Sequence, residues 1–330
     1  MEEDREFMVT VGVHVSIAKS IDLAVDRAKE IGCDTFQIFS RSPRGWSFKD
    51  LTEEQIKAFR EKMKASGIVG PVDHMPYLPN LASPKGEHYP RSVDTLKAEL
   101  YRSGQLGIPY LVTHLGHYHD EGKEGGYAGV TGAVNEAFSS VKNDVMLLLE
   151  TTSGEKNTVG GTFEDIWHIM DGIDRKERVG VCFDTCHTFV GGYELRTPEG
   201  LGETMDHFDE VIGLSRLKAV HLNDAKGDFG SHWDRHEHIG MGSIGEDGFR
   251  TILRHPAFAR LPLVCETPVD DRRDDVGNIR KVRELAGEGE PSAAGKGRGE
   301  GGRANPAGFR SARERRKAPG TAKRRLSGSA

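Results

Sequence analysis

Six apolar runs in this sequence each close on a histidine or an acid. They end Val72-Asp73-His74, Val112-Thr113-His114, Leu149-Glu150, Phe183-Asp184, Val220-His221 and Cys265-Glu266, at spacings of 40, 36, 34, 37 and 45 residues. Taken singly, such a histidine is more often hydrogen-bonded structure than a ligand, and Asp184 before Thr185 also suits a helix cap. Six in register are a different matter, because charged or strongly polar side chains taken out of water are costly unless something compensates them. No Lys or Arg closes any of the six runs, so the implied compensation is metal cations. Nitrogen and oxygen donors without thiolate suit Zn²⁺, with Mn²⁺ or Fe²⁺ as competitors. Two further clusters extend the set: His187, three residues past Asp184, and Asp234 with His236 in Trp233-Asp234-Arg235-His236. His117, His119, His207, His232 and His238 are read as surface residues or as outer partners of the ligands.

The elements that must position these groups alternate along the chain. Short β-branched, apolar runs fall at Met8–Val13, Thr35–Phe39, Val69–Val72, Tyr110–Thr113, Val145–Leu149, Val179–Phe183, Leu217–His221 and Leu263–Cys265. Runs apolar on both faces suit a buried parallel sheet. Helical periodicity separates them at Ile21–Ile31, after Thr52 with Gln55 in capping-box spacing, and at Arg91–Leu106, Ala133–Val141, Phe163–Met170, Glu203–Ile212, Gly248–Leu253 and Asn278–Leu285. Eight strands alternating with eight helices predict an α/β chain folded as a single (β/α)8 TIM barrel, a fold of about 250 residues whose strand C-termini converge on one face. The metal site is expected there. A doubly wound open sheet competes, but the turn after the first strand reads Val13-His14-Val15-Ser16 and lacks the glycine-rich phosphate signature of that fold. The longest irregular stretch, Asn223–Gly245, has the length of a functional loop.

Charge divides the chain. Of 330 residues with net charge −6, the last 43, Glu288–Ala330, carry +7, leaving −13 on residues 1–287. That basic, Gly- and Ala-rich tail holds only Phe309 and Leu326 as large apolar residues, so disorder is expected, with the domain confined to 1–287. Its basic runs either brush nucleic acid non-specifically or are simply solvated. No apolar run is long enough for a transmembrane helix, and the acidic N-terminus does not read as a signal peptide. The four cysteines form no CxxC pair, which fits buried structural thiols in a reducing cytoplasm.

With those residues in view, the chain resembles the endonuclease IV family of apurinic/apyrimidinic (AP) endonucleases. The matching stretches are GVHVS (12–16), VDHMPYLPNLASP (72–84), LVTHLG (111–116), LLLETTSGEKNTVG (147–160), VCFDTCHTFVGGY (181–193), VHLNDAKGDFGSHWDRHEHIGMGSIG (220–245) and VCETP (264–268). They span nearly the whole body in order, and none lies in the tail. The resemblance implies three zinc ions. His74, His114 and Glu150 would hold the first. Glu150 would bridge to the second, which also takes Asp184, His221 and Glu266, while His187, Asp234 and His236 would hold the third. The duplex-probing residues of the family fall on Arg44, Tyr77 and Leu78, where the pattern is looser; for Tyr77 and Leu78, packing of the loop on the barrel rim is the alternative.

The activity so implied is hydrolysis of the phosphodiester 5′ to an abasic site in double-stranded DNA, leaving a 3′-hydroxyl and a 5′-deoxyribose phosphate, as in base excision repair. Metal-assisted attack by water is expected, with Glu150 and Glu266 steering the water or taking its proton. A monomer is expected. Arg41, Arg44 and Lys226 are expected to follow the DNA backbone. The rival reading is a metal-dependent sugar isomerase or epimerase on the same barrel, which the third ligand set argues against; a non-enzymatic nucleic-acid-binding barrel is disfavoured because the ligand set is complete.

Overall fold

Eight short strands pair parallel, each with its neighbour, in the order β1-β10-β7-β6-β5-β4-β3-β2 in the computed structural model, which describes residues 8–288. They are β1 (Thr10–Val13), β2 (Gln37–Ile38), β3 (Val72–His74), β4 (Tyr110–Thr113), β5 (Met146–Glu150), β6 (Val179–Asp184), β7 (Leu217–His221) and, after a small hairpin, β10 (Pro262–Cys265). A parallel bridge between His14 and Gln37 joins the two outer strands and closes the barrel. The seam is tight. A Cβ added at Gly12 would sit 1.8 Å from the Thr35 carbonyl oxygen, so only glycine admits this approach of β1 to the segment leading into β2.

Among the described residues nine α-helices surround or cap the strands: α1 (Leu23–Ile31), α2 (Glu53–Ser66), α3 (Tyr89–Leu106), α4 (Gly122–Ser140), α5 (Phe163–Asp171), α6 (Thr185–Val190), α7 (Pro198–Val211), α8 (Gly245–Arg254) and α9 (Asp275–Ala286). The capping box at Thr52 is present, with Thr52 and Gln55 exchanging hydrogen bonds of 3.2 and 3.0 Å. The fold is the expected TIM barrel. Three expectations shift in detail. The third strand is Val72–His74 rather than Val69–Val72: Gly70 adopts a left-handed φ of 53°, Pro71 follows it, and Val69 is exposed. A ninth helix, α6, starts directly on the sixth strand. The loop read as irregular folds locally into an antiparallel hairpin, β8 (Asp224–Ala225) with β9 (His236–Glu237). Residues 289–330, nearly all of the expected tail, lie outside the described residues.

Two layers of apolar side chains follow from the period-two alternation of a strand. Outward residues such as Leu147, Leu149, Val181 and Phe183 pack under the helices. Inward residues Val72, Val112, Leu148, Cys182, Ala219 and Val264 form a separate buried cluster that fills the barrel. On each of these six strands the residue two positions further on is His74, His114, Glu150, Asp184, His221 or Glu266. The strand pleat that puts a plug residue inside the barrel therefore places a polar ligand above it. The four cysteines are buried and unpaired.

Candidate metal centre

Above the plug the six strand ends form a ring around Glu150, which is fully buried. His114 Nε2 lies 2.9 Å and His74 Nε2 3.3 Å from Glu150 Oε2, while His221 Nδ1 lies 2.9 Å and His187 Nδ1 3.6 Å from Oε1. Donor atoms of His74, His114 and Glu150 fall within 4.8 Å of one another, as do those of Glu150, Asp184, His221 and Glu266, and those of His187, Asp234 and His236. All nine candidate ligands are thus brought together, with Glu150 common to two of these groups; donor atoms of His74, His221 and Glu266, and of Asp184, Cys186 and His236, also fall within 4.8 Å of one another.

Local structure explains each aim. Asp184 caps α6, its Oδ1 accepting from the His187 backbone N–H at 2.8 Å, so one short turn both ends the strand and delivers His187. Asp234 and His236 arrive from the β8–β9 hairpin. That hairpin is pinned from below by His238, which is buried and bonds Asp270 at 3.0 Å and the Asn278 amide at 3.1 Å. Most of the imidazoles tie one nitrogen outward. His74 Nδ1 donates to the Met75 carbonyl at 2.7 Å, His187 Nδ1 to Thr151 at 2.9 Å, and His236 Nδ1 to Glu266 at 3.1 Å. A ring held this way turns its other nitrogen toward the cluster, the usual arrangement of a metal-ligating histidine.

The electrostatics agree. Burial raises the Glu150 carboxyl pKa, but His114 and His221 override it and hold it well below the usual carboxylate range. Burial disfavours charge on His187, yet Asp184, Asp234 and Glu150 hold its pKa well above the ordinary histidine value. Asp234 is depressed to about 2: burial opposes this, and His187 and His236 outweigh it. Four carboxylates therefore stand in the barrel mouth among imidazoles and two neutral amides, and the guanidinium that lines the mouth, Arg235, is exposed. His236 Nε2 is buried without a hydrogen-bond partner. An orphaned imidazole nitrogen facing Asp234 and Asp184, at 3.6 and 3.7 Å, among donors of mixed nitrogen and oxygen type, fits a cation such as Zn²⁺ in that space.

Sequence reasoning missed three residues of this layer. Gln37 and His14 stand inward on the barrel seam, and the Gln37 carboxamide touches His221, Glu266 and His14. Asn223 donates through Nδ2 to Asp184 Oδ2 and accepts at Oδ1 from the Glu266 backbone N–H, both at 2.7 Å, locking two ligands together. Its place in His221-Leu222-Asn223, an inward position two residues past a ligand, was the available signal.

The mouth opens into a cavity of about 420 Å³ lined by His14, Phe39, Tyr77, Arg235 and Val269 beside the ligands. Tyr77 is 66% exposed at its rim while its ring also packs on Phe39 at 5.1 Å, so for Tyr77 rim packing and exposure coexist, and the following Leu78 is 44% exposed. Arg44 is exposed on the loop after β2, and so is Lys226 on the hairpin. Arg41 is not a surface cation as expected. It is buried, its Nε 2.6 Å from Glu99 Oε1, because α3 brings a carboxylate beneath the loop. Arg102 donates to the Ser40 and Lys49 carbonyls, and both guanidiniums lie near the Phe48 ring, so the base of the Arg44 loop is fixed.

Comparison with known proteins bears on the site as a whole. A family model described as a xylose isomerase-like TIM barrel matches residues 25–287. A protein of Methanoculleus marisnigri named probable endonuclease 4 is 64% identical over 281 residues, covering 85% of this chain and all of the relative. A protein of the same name from Methanosphaerula palustris is 55% identical over 282 residues, 84% of this chain and 99% of the relative. The crystal structure of endonuclease IV from Thermus thermophilus superposes with a TM-score of 0.75 at 35% identity, over 85% of this chain and all of that one.

Proposed function

Since the chain belongs to the endonuclease IV family and is a nuclease of that type, we propose that it hydrolyses the phosphodiester 5′ to abasic sites in duplex DNA, using three zinc ions, in base excision repair. The observation that carries this reading is the convergence of three ligand groups on one barrel mouth, two of them sharing Glu150. Zinc bound there supplies Lewis acidity toward water and phosphate oxygens, the usual contribution of a metal cluster to phosphodiester hydrolysis. His74 and His114 would hold the first ion with Glu150, Asp184, His221 and Glu266 would hold the second with it, and His187, Asp234 and His236 would hold the third. Glu150 and Glu266 would steer the attacking water or accept its proton.

The division into a catalytic barrel of residues 1–287 and a basic tail of 288–330 is part of the same proposal. An acidic body with a cationic mouth can still draw in a polyanion, because the local field at the mouth governs the approach of a phosphate. Exposed Arg44, Lys226 and Arg235 line the path of the strand. Tyr77, which lines the mouth, and the exposed Arg44 and Leu78 would enter the gap left by a missing base, which costs less to open than an intact stacked pair.

A nicking assay on a duplex with one abasic site tests the reading. Incision is expected to leave a 3′-hydroxyl, to stop on prolonged chelation and to return with zinc. Incision that is indifferent to chelator sinks it, and one metal per chain by elemental analysis would favour the sugar isomerase. In the same assay Arg44→Ala and Tyr77→Ala are expected to weaken abasic-duplex affinity by about tenfold or more each, on the scale of 1–3 kcal/mol for a stacking contact. Unchanged affinity removes these residues from the DNA-reading role.

A further inference from the structure

Gln37 is fully buried on β2 at the barrel seam, in a position where a parallel sheet usually carries an aliphatic residue. Its carboxamide is fully engaged. Nε2 donates to Glu266 Oε1 at 2.6 Å and lies 3.2 Å from His14 Nδ1, while Oε1 accepts from His221 Nε2 at 2.8 Å. The orientation of the amide is determined by these contacts, since the flipped form would set its oxygen against the Glu266 carboxylate. An amide oxygen only accepts, so His221 Nε2 keeps its proton and Nδ1 is the nitrogen left to give up a proton to a metal. That nitrogen is the one facing the cluster, 2.9 Å from Glu150 Oε1 and 3.3 Å from Glu266 Oε2. The same carboxamide occupies Oε1 of Glu266 and leaves Oε2 turned toward His221. His74, His187 and His236 bond outward to backbone carbonyls, whereas the outer partner of His221 is a side chain.

We infer that Gln37 is a positioning residue for the metal held by His221 and Glu266: one neutral amide sets the tautomer of the first and the free oxygen of the second. No other uncharged side chain of that length offers a donor to the carboxylate and an acceptor to the imidazole at once. A carboxylate would repel Glu266, and an aliphatic group would leave both ligands unpaired in the barrel. This rests on the reading of the site as a zinc centre.

The test uses the full chain with Gln37→Leu and, should that variant fold poorly, Gln37→Asn, which withdraws the amide from both ligands while keeping a polar group. Zinc affinity is measured by competition with a chromophoric chelator, the site spectrum with Co²⁺, and the melting temperature on metal-free protein. Loss of an outer partner is expected to weaken zinc about 10- to 100-fold. The loss should appear in one class of ion, with a changed Co²⁺ spectrum, while the ion held by His187, Asp234 and His236 keeps its affinity. Unaltered affinities and spectrum in both variants overturn the inference. So does an equal loosening of every ion together with a fall in the metal-free melting temperature, which would make Gln37 merely structural. If the wild type binds zinc and cuts normally while the variants do the same, this inference alone fails. If the wild type loads zinc without cutting abasic DNA, the proposed activity fails while the role of Gln37 is still decided by the affinities.

Discussion

Replacing Glu150 with glutamine is expected to abolish abasic-site incision, by roughly a thousandfold or more, and to lower bound zinc by at least one ion per chain. The rate estimate takes a metal-centred contribution of several kcal/mol to the transition state and converts it at about 1.4 kcal/mol per decade. Few side chains here have so much resting on them: two ligand groups share the Glu150 carboxylate, and four imidazoles surround it. The metal-free protein suffers too. Removing one partner of a fully buried charge pair costs about 3–5 kcal/mol. The carboxyl of Glu150 is held well below its ordinary value, so its stabilisation is complete above the usual carboxylate range and is lost as pH falls toward the depressed pKa. Thermal melts of metal-free wild type and Glu150→Gln should therefore differ most near neutrality and converge in acid. Full zinc content and wild-type incision in the variant would exclude Glu150 as the shared ligand.

Zinc uptake is expected to release protons and to weaken steeply on acidification. Burial works against the charged form of His187, but Asp184, Asp234 and Glu150 raise its pKa well above the usual value; His221 is likewise raised against burial, by Cys182, Glu266 and Glu150. A raised folded pKa means that protonation stabilises the metal-free fold below the ordinary histidine value, a contribution lost as pH rises through the folded pKa. Zinc takes only the unprotonated ring, so each such imidazole must surrender its proton on binding. Below its folded pKa each contributes about a tenfold loss of affinity per pH unit. Calorimetry in buffers of different protonation enthalpy should count these protons, and chelator competition across roughly pH 6 to 8 should show the slope. Binding that is flat over that range, with no proton released, would contradict the charge state described for the ring.

The metal ring was legible in the sequence because strand periodicity carries it. A ligand two residues after an inward plug residue is a pattern along one strand, and six strands repeat it, so no knowledge of neighbouring strands is needed. Gln37 and His14 were not legible on the same grounds, and Asn223, though two residues past a ligand, does not show its role in that period alone. Each matters through a partner on another strand, such as Glu266 for Gln37, 229 residues away in sequence. Arg41 was misread for a related reason: its counter-charge, Glu99, sits on an amphipathic helix where a carboxylate reads as solvated. The hairpin that brings Asp234 and His236 has strands of two residues each, too short for periodicity to register, and α6 is only six residues long. Short elements positioned by tertiary contact leave little trace in one sequence.

The ring that closes on Glu150 draws its members from residue 74 to residue 266. At a synthesis rate of about 5–20 residues per second, roughly ten to forty seconds separate the first ligand from the last on the ribosome. Before that interval closes the groups of His74, His114 and Glu150 and of His187, Asp234 and His236 are already synthesised, but the group of Glu150, Asp184 and His221 still lacks Glu266. The donor set that shares Glu150 with Asp184 and His221 is thereby completed only when β10 enters and the barrel can shut.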